Sequence, residues 1–282
     1  MKVVTTEKSQ VLGVKIARAL DLEIVDTRFS RFPDGELYLR TGDLDGETII
    51  VGSVTDTDSL VQLLLLIDAC EQSKNTLVLP YMGYARQDKK FHQGEPISAR
   101  AIARVLSPGV GQIICVDIHE ESVLDYFQIP ARNISLAPSL GEYIAAMPLI
   151  DPLILAPDAG ASVFAAAVAQ VGGWDCDELQ KTRISGEEVR ITPKTIDAAG
   201  REVVIVDDII STGGTLATAA SMLYAQGAAG VHAACVHGIF TGGAYTRLRH
   251  AGVKSIAASD TIEGGASLIS AAACIASALN HA

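Results

Sequence analysis

The stretch from Val203 to Thr215, VVIVDDIISTGGT, concentrates residue types that hold phosphate and polyols. Two consecutive carboxylates, Asp207 and Asp208, end a β-branched run, and Ser211, Thr212, Gly213, Gly214 and Thr215 follow. Val203–Val206 reads as a strand buried on both faces. Beyond Thr215 the segment LATAASMLYAQG keeps helical spacing up to Gly227, a natural C-cap. A strand, a hydroxyl- and glycine-rich turn and a helix together make an anion cradle. Glycines let backbone N–H groups close on a phosphate, hydroxyls donate to it, and the helix N-terminus adds positive potential. Acids beside a phosphate must hold something else, either sugar hydroxyls or a metal. Phosphate at one end and a polyol at the other describes a sugar phosphate.

Other stretches carry chemistry in a weaker form. PYMGYARQDKK, from Pro80, places Arg86, Lys89 and Lys90 beside Gln87, Asp88 and the tyrosines flanking Gly83. Cations suit phosphates, and tyrosine and glutamine suit a nucleobase, although a solvated charged loop has the same composition. QIICVDI delivers Asp117 and then His119, spaced i and i+2, so an extended strand puts both on one face. They can hold a divalent ion or order its water shell, or be structural. Asp158 opens DAGA after LILAP, as a second anion or Mg²⁺ nest or as an ordinary helix cap. Lys181 and Arg183 lie in a charged excursion, LQKTRISGEEVRITPK, where two cations can close over developing phosphoryl charge. Phe32–Glu36, FPDGE, is a turn: Pro33 sets φ, and Asp34-Gly35 is a turn dipeptide.

These segments need a frame, and the apolar pattern supplies one. Strand-like runs (Lys2–Thr5, ETIIVGSV, TLVLPY, QIICVDI, LILAPD, VVIVDD, VHAACV, KSIAAS) alternate with helix-length segments. The pattern predicts an α/β protein with two doubly wound, mostly parallel-sheet domains, residues 1–145 and 146–282. The closing SLISAAACIASALN reads as a helix that can pack on either domain. Ligands of open α/β sheets bind outside the carboxyl ends of the strands, which is where each segment above falls.

The 282 residues carry a net charge of −11, which argues against nonspecific binding to nucleic acid or anionic membrane. Any phosphate site must therefore rely on local cations, backbone amides and metal. Five scattered cysteines without a C-x-x-C pair read as reduced thiols. MKVVTTEKSQ lacks the apolar core of a signal peptide, and the longest apolar run, LVQLLLLI, is too short to span a bilayer. A soluble, cytoplasmic protein is expected.

Jointly, FPDGE, PYMGYARQDKKF with GEPIS, VDIH, PDAG, K-T-R and VDDIISTGGT occur in the order seen in ribose-phosphate diphosphokinases. The chain resembles that family, in an archaeal-type form within the phosphoribosyltransferase-fold superfamily, from Phe32 to SDTI at Ser259. The YARQDK block is the specific part, since the acid pair and STGGT occur in phosphoribosyltransferases at large. The resemblance implies transfer of the diphosphoryl group of ATP to the 1-hydroxyl of ribose 5-phosphate, with Mg²⁺. It implies that Ser211–Thr215 hold the 5-phosphate, that Asp207 and Asp208 bind ribose hydroxyls, and that Arg86, Gln87 and Asp88 bind ATP. By the same resemblance, Phe32, Asp34, Gly35 and Glu36 reach a neighbouring subunit's ATP in a homo-oligomer, and His119 and Asp158 bind metal. Lys181 and Arg183 would be catalytic, the arginine also touching the sugar phosphate. Ser211 stands where many bacterial members carry Asp, TGG replaces TAG, Ala161 replaces a frequent Gly, and Gln180 replaces a common acid. The chain is also shorter than typical bacterial members, so their regulation by phosphate and ADP is not carried over. A transferase that consumes the same product explains VVIVDDIISTGGT but leaves YMGYARQDK and VDIH without a task.

Overall fold

The structure, a computed structural model, describes residues 1–179, 181–183, 189–191 and 196–280, the two short internal runs as backbone only. The chain divides into two compact units. The first comprises Met1–Ser135, Thr261–Glu263 and the segment from Ser270, and the second Leu136–Asp260 and Gly264–Ile269.

In the first unit β1 (Lys2–Thr5), α1 (Gln10–Ala19), β2 (Glu23–Ile24), the hairpin β3 (Thr27–Arg31) and β4 (Leu37–Thr41), and β5 (Glu47–Val51) come first. Then follow α2 (Thr57–Ala69), β6 (Lys74–Leu79), α3 (Ser98–Leu106), β7 (Gln112–Val116) and β8 (Ala131–Ile134). The second unit holds α4 (Ala137–Ala145), β9 (Leu153–Ala156), α5 (Ser162–Gly172), β10 (Cys176–Glu178), and the antiparallel pair β11 (Lys181–Arg183) and β12 (Val189–Ile191). After these come β13 (Glu202–Ile210), α6 (Gly214–Ala225), β14 (Gly230–Gly238), α7 (Ala244–His250), β15 (Ser255–Ser259) and β16 (Ser267–Ile269). The last helix, α8 (Ala272–Asn280), returns to the first unit.

Each unit is built on a six-stranded sheet, ordered β2-β1-β5-β6-β7-β8 in the first and β10-β9-β13-β14-β15-β16 in the second. Every pairing within the two sheets is parallel. Numbered by chain order within each sheet, both read 2-1-3-4-5-6, so the fold class expected from the alternating pattern is the one observed. The winding direction reverses between the first and third strands, and a crevice opens there at their carboxyl ends. The central strands are continuous apolar runs because helices cover both faces: Ile49, Ile50, Val51, Leu77, Val78 and Leu79 are all buried, as are Val203–Val206.

Local chemistry sets the boundaries. The α2 helix starts at Thr57 because Asp56 and Ser59 form a reciprocal capping box. Pro138 stands in the first turn of α4, where its missing N–H costs nothing. The expected closing helix begins later: SLI forms strand β16 against β15, and only Ala272–Asn280 is helical.

The two crevices differ in what fills them. In the first unit, the Ser53 N–H donates to Ser9 Oγ at 3.1 Å and Ser53 Oγ donates to the Thr261 carbonyl at 2.6 Å. Glu263 Oε1 accepts the Leu12 N–H of α1 at 2.8 Å, serving a helix end whose N-cap Ser9 makes no side-chain cap. That crevice is occupied by its own chain.

At the opposite, amino end of the second sheet, Glu202 ties three strands together. Its Oε1 accepts from Lys254 Nζ at 2.9 Å, and Oε2 lies 3.0 Å from His232 Nε2, whose Nδ1 is 2.7 Å from Ser255 Oγ. Despite burial, which opposes ionisation, hydrogen bonds and charge from Lys254 and His232 hold the Glu202 carboxyl below its ordinary 4.5. A depressed carboxylate contributes stability that is complete above that value and is lost as pH falls through the lower folded pKa. Urea unfolding of the wild type is therefore expected to lose stability more steeply than Glu202→Gln below about pH 4.5. Parallel pH profiles would remove Glu202 from this role.

Candidate active site

Of the expected residues, Asp158, Asp207, Asp208 and Ser211–Thr215 lie at the carboxyl ends of the strands around the crevice of the second unit. Asp158 follows β9 and its Oδ1 accepts the Gly160 N–H at 3.0 Å, so it does cap the turn Ala159–Ala161. The neighbouring strand β13 runs four residues beyond Val206, making Asp207 and Asp208 strand residues. Asp207 Oδ1 accepts the Asp208 N–H at 3.0 Å. Burial first, then the charge and hydrogen bond of Asp208, then the charge of Asp158, push the Asp207 carboxyl well above the usual carboxylate range. Three carboxylates that repel one another in this way favour a ligand rich in hydroxyl donors or a cation.

Beyond β13 the chain turns at Ser211–Gly213 and enters α6 at Gly214, two residues before the helical spacing that follows Thr215. Gly213 is the N-cap, at φ +70°. Among the described residues, the N–H groups of Ser211, Thr212, Gly213, Gly214 and Thr215 have no acceptor, and the three hydroxyls have no partner. Consecutive unpaired donors at a helix N-terminus are the physical form of an anion cradle.

The floor of this turn comes from α7, which the sequence pattern did not single out. A Cβ on Gly213 would lie 3.2 Å from Leu248 Cγ and 3.3 Å from Ala244 Cβ. Arg247 donates from Nη1 to the Thr212 carbonyl and from Nη2 to the Gly242 carbonyl, the latter at 3.1 Å. An arginine four residues past a glycine pair has no recognisable spacing motif. Lys181 and Arg183 stand in β11, in register with Ile191 and Val189 of β12; their side chains, and the whole of Gln180, lie outside the described residues.

In the first unit the loop after β6 is tightly organised. The Gly83 N–H donates to the Val54 carbonyl at 2.8 Å, and Tyr81 is buried while Tyr84 is exposed. Gln87 Oε1 accepts from Ser98 Oγ at 2.6 Å. The Asp88 carbonyl accepts from Tyr126 Oη at 2.9 Å. Arg86 is exposed, with no ion pair or hydrogen bond among the described residues. Ser98 and Tyr126 thus brace a loop on which Arg86 and Lys90 are exposed cations without an ion pair among the described residues.

The reading of Asp117 and His119 as neighbours on one strand face needs correction. β7 stops at Val116, and Asp117 turns at φ +37°, so strand alternation does not extend to them. Asp117 is buried and His119 exposed, and the Ile118 N–H donates to Asn133 Oδ1 at 3.0 Å, holding the corner. A non-glycine residue at positive φ marks a backbone over-determined by its surroundings. The FPDGE turn closes the β3–β4 hairpin through Phe32 N–H to Glu36 O and Gly35 N–H to Phe32 O, both 2.9 Å, with Gly35 at φ +97°. Phe32 is half exposed and packs edge-on against Tyr38, ring centroids 5.6 Å apart. Among the described residues no group of three His, Cys, Asp or Glu side chains is arranged to hold a metal ion.

Two doubly wound sheets, one carrying an anion cradle at its switch point, define a phosphoribosyltransferase-type protein. Residues 122–268 match the phosphoribosyl transferase domain, and residues 1–108 match the N-terminal domain of ribose phosphate pyrophosphokinase. A ribose-phosphate pyrophosphokinase of Methanosarcina acetivorans is 52% identical, each chain covered completely, and one of Archaeoglobus fulgidus is 42% identical over 98% of this chain and 99% of its own. The crystal structure of phosphoribosylpyrophosphate synthetase from Mycobacterium smegmatis superposes with a TM-score of 0.84 at 26% identity, covering 99% of this chain and 97% of that one. The chain belongs to the ribose-phosphate pyrophosphokinase family.

The cradle makes a direct prediction. Gly213→Ala places a side chain in the left-handed region and against α7, at a cost of about 1–2 kcal/mol. Urea titration is expected to show that loss, and thermal melts to show reduced stabilisation by inorganic phosphate. A variant as stable and as phosphate-responsive as wild type would remove the conformational requirement.

Proposed function

We propose that this chain transfers the diphosphoryl group of ATP to the 1-hydroxyl of ribose 5-phosphate, yielding 5-phosphoribosyl 1-diphosphate and AMP for nucleotide synthesis. The observation that carries this reading is the run of unpaired N–H donors at Ser211–Thr215 beside three carboxylates, in a chain of this family. In this reading the 5-phosphate takes the donors and hydroxyls of Ser211–Thr215, while Asp207 and Asp208 accept hydrogen bonds from the ribose hydroxyls. The sugar is then fixed at both ends, and its 1-hydroxyl is aimed at the β-phosphorus. The O1–Pβ bond forms as the bond from Pβ to the bridging oxygen of the α-phosphate breaks, and AMP leaves.

Phosphoryl transfer of this kind asks for alignment and charge neutralisation rather than covalent help. Arg86, Gln87 and Asp88 bind ATP, with the loop braced by Ser98 and Tyr126. Lys181 and Arg183 neutralise charge on the phosphoryl oxygens and the departing AMP oxygen. Asp158 and His119 are each proposed as ligands for Mg²⁺, which would supply further neutralisation of phosphate oxygens. A magnesium ion needs only one or two protein carboxylates when phosphates and waters complete its shell, which suits a chain with no larger ligand cluster among its described residues. Phe32, Asp34, Gly35 and Glu36 reach the ATP of a neighbouring copy in a homo-oligomer; the half-exposed Phe32 at a hairpin tip supports that role. No described helix is long and apolar enough to cross a membrane, in keeping with a cytoplasmic enzyme.

Purified protein given ATP, ribose 5-phosphate and Mg²⁺ is expected to release AMP. No AMP, together with base-dependent loss of phosphoribosyl diphosphate, would replace this reading with that of a phosphoribosyltransferase. Lys181→Ala is expected to lower turnover by about 10²–10³-fold, the scale of removing one charge-stabilising donor, with ATP affinity retained. Sedimentation at assay concentration tests the shared site: a fully active monomer would contradict it.

A further inference from the structure

We propose that Arg247 is a positioning residue for the sugar-phosphate cradle, holding the Thr212 carbonyl so that the adjoining Gly213 N–H faces the anion. The inference rests on reading Ser211–Thr215 as that cradle. The Thr212–Gly213 peptide is trans, so its C=O and N–H point in opposite directions. Arg247 draws the carbonyl towards α7. Ala244 and Leu248 pack against the Cα of Gly213, and its N–H has no acceptor among the described residues.

The second arm of the guanidinium anchors the first. Nη2 donates to the Gly242 carbonyl, in a turn where Phe240, Gly242 and Gly243 all have positive φ, at +47°, +60° and +75°. The Phe240 ring packs edge-on against Tyr245, centroids 5.9 Å apart, on the same helix as Arg247. One planar fork thus ties two turns into a single unit, a geometry an ammonium group cannot reproduce. Arg247 forms no ion pair among the described residues, so its charge also lies unneutralised beneath the cradle. In a crevice otherwise lined by Asp158, Asp207 and Asp208, that charge favours a dianionic phosphate.

The test uses the full chain and two titrations, ribose 5-phosphate and ATP, followed by steady-state kinetics. Arg247→Ala is expected to raise the ribose 5-phosphate Kd and KM about tenfold or more, with ATP affinity within about twofold of wild type. That factor corresponds to about 1.4 kcal/mol of lost positioning. Arg247→Lys keeps charge but not the fork, and is expected to fall between wild type and alanine. Should the alanine variant fail to fold, the lysine variant carries the test, with a rise of about threefold or more expected in its ribose 5-phosphate Kd. Unchanged ribose 5-phosphate affinity in a folded variant would overturn the proposal, as would equal weakening of both substrates. A wild type that binds no ribose 5-phosphate overturns the cradle reading itself, and is distinguishable because it appears before any substitution.

Discussion

Five neighbouring N–H groups without an acceptor are the constraint around which the second unit is arranged. Unpaired donors are tolerable only where solvent or a ligand reaches them, so the turn must stay at the mouth of the crevice. It must also be held open, because a flexible glycine turn would collapse onto the nearest carbonyl. The extension of β13 through Ile210 supplies rigidity on one side, with Ile210 pairing to Gly238. On the other side α7 supplies a floor. The carboxylates fit the same logic. They repel anions in general, so an anion that settles in the cradle must bring donors for Asp207 and Asp208, and a sugar phosphate does.

Two sheets with one strand order offer two equivalent crevices, yet only one has the chemistry of a site. In the first unit, Glu263 already supplies a carboxylate to the α1 N-terminus, and Ser9, Ser53 and Thr261 satisfy one another. An external anion there would displace an internal one and gain little. The first unit instead exposes Arg86 on the loop after β6, a loop braced from within by Ser98 and Tyr126. Shared topology therefore divides labour through side chains rather than through fold.

Much of this was legible in the sequence. Buried parallel strands are continuous β-branched runs, so VVIVDD and ETIIVGSV announced both sheets. Glycines and hydroxyls at a strand–helix junction have few other uses, which made the cradle readable. What was lost depended on tertiary context. SLI became a strand because β15 offered a partner edge, overriding helical spacing. The corner at Asp117 depends on the hydrogen bond from Ile118 to Asn133, fifteen residues further on and invisible to periodicity. Arg247 matters through two backbone carbonyls, and backbone acceptors leave no trace in residue types.

The charge balance gives the same lesson at larger scale. A net charge of −11 would disfavour phosphates if the chain were a uniform sphere. Screening confines each charge to about 8–10 Å at physiological salt, so a phosphate in the cradle responds to its immediate neighbours. Those neighbours include backbone N–H dipoles, the α6 N-terminus and the guanidinium of Arg247, none of which an overall charge resolves. Overall acidity then suppresses nonspecific anion binding across the rest of the surface. Specific phosphate recognition by an acidic protein is therefore a matter of local donors, and the protein concentrates them in one turn.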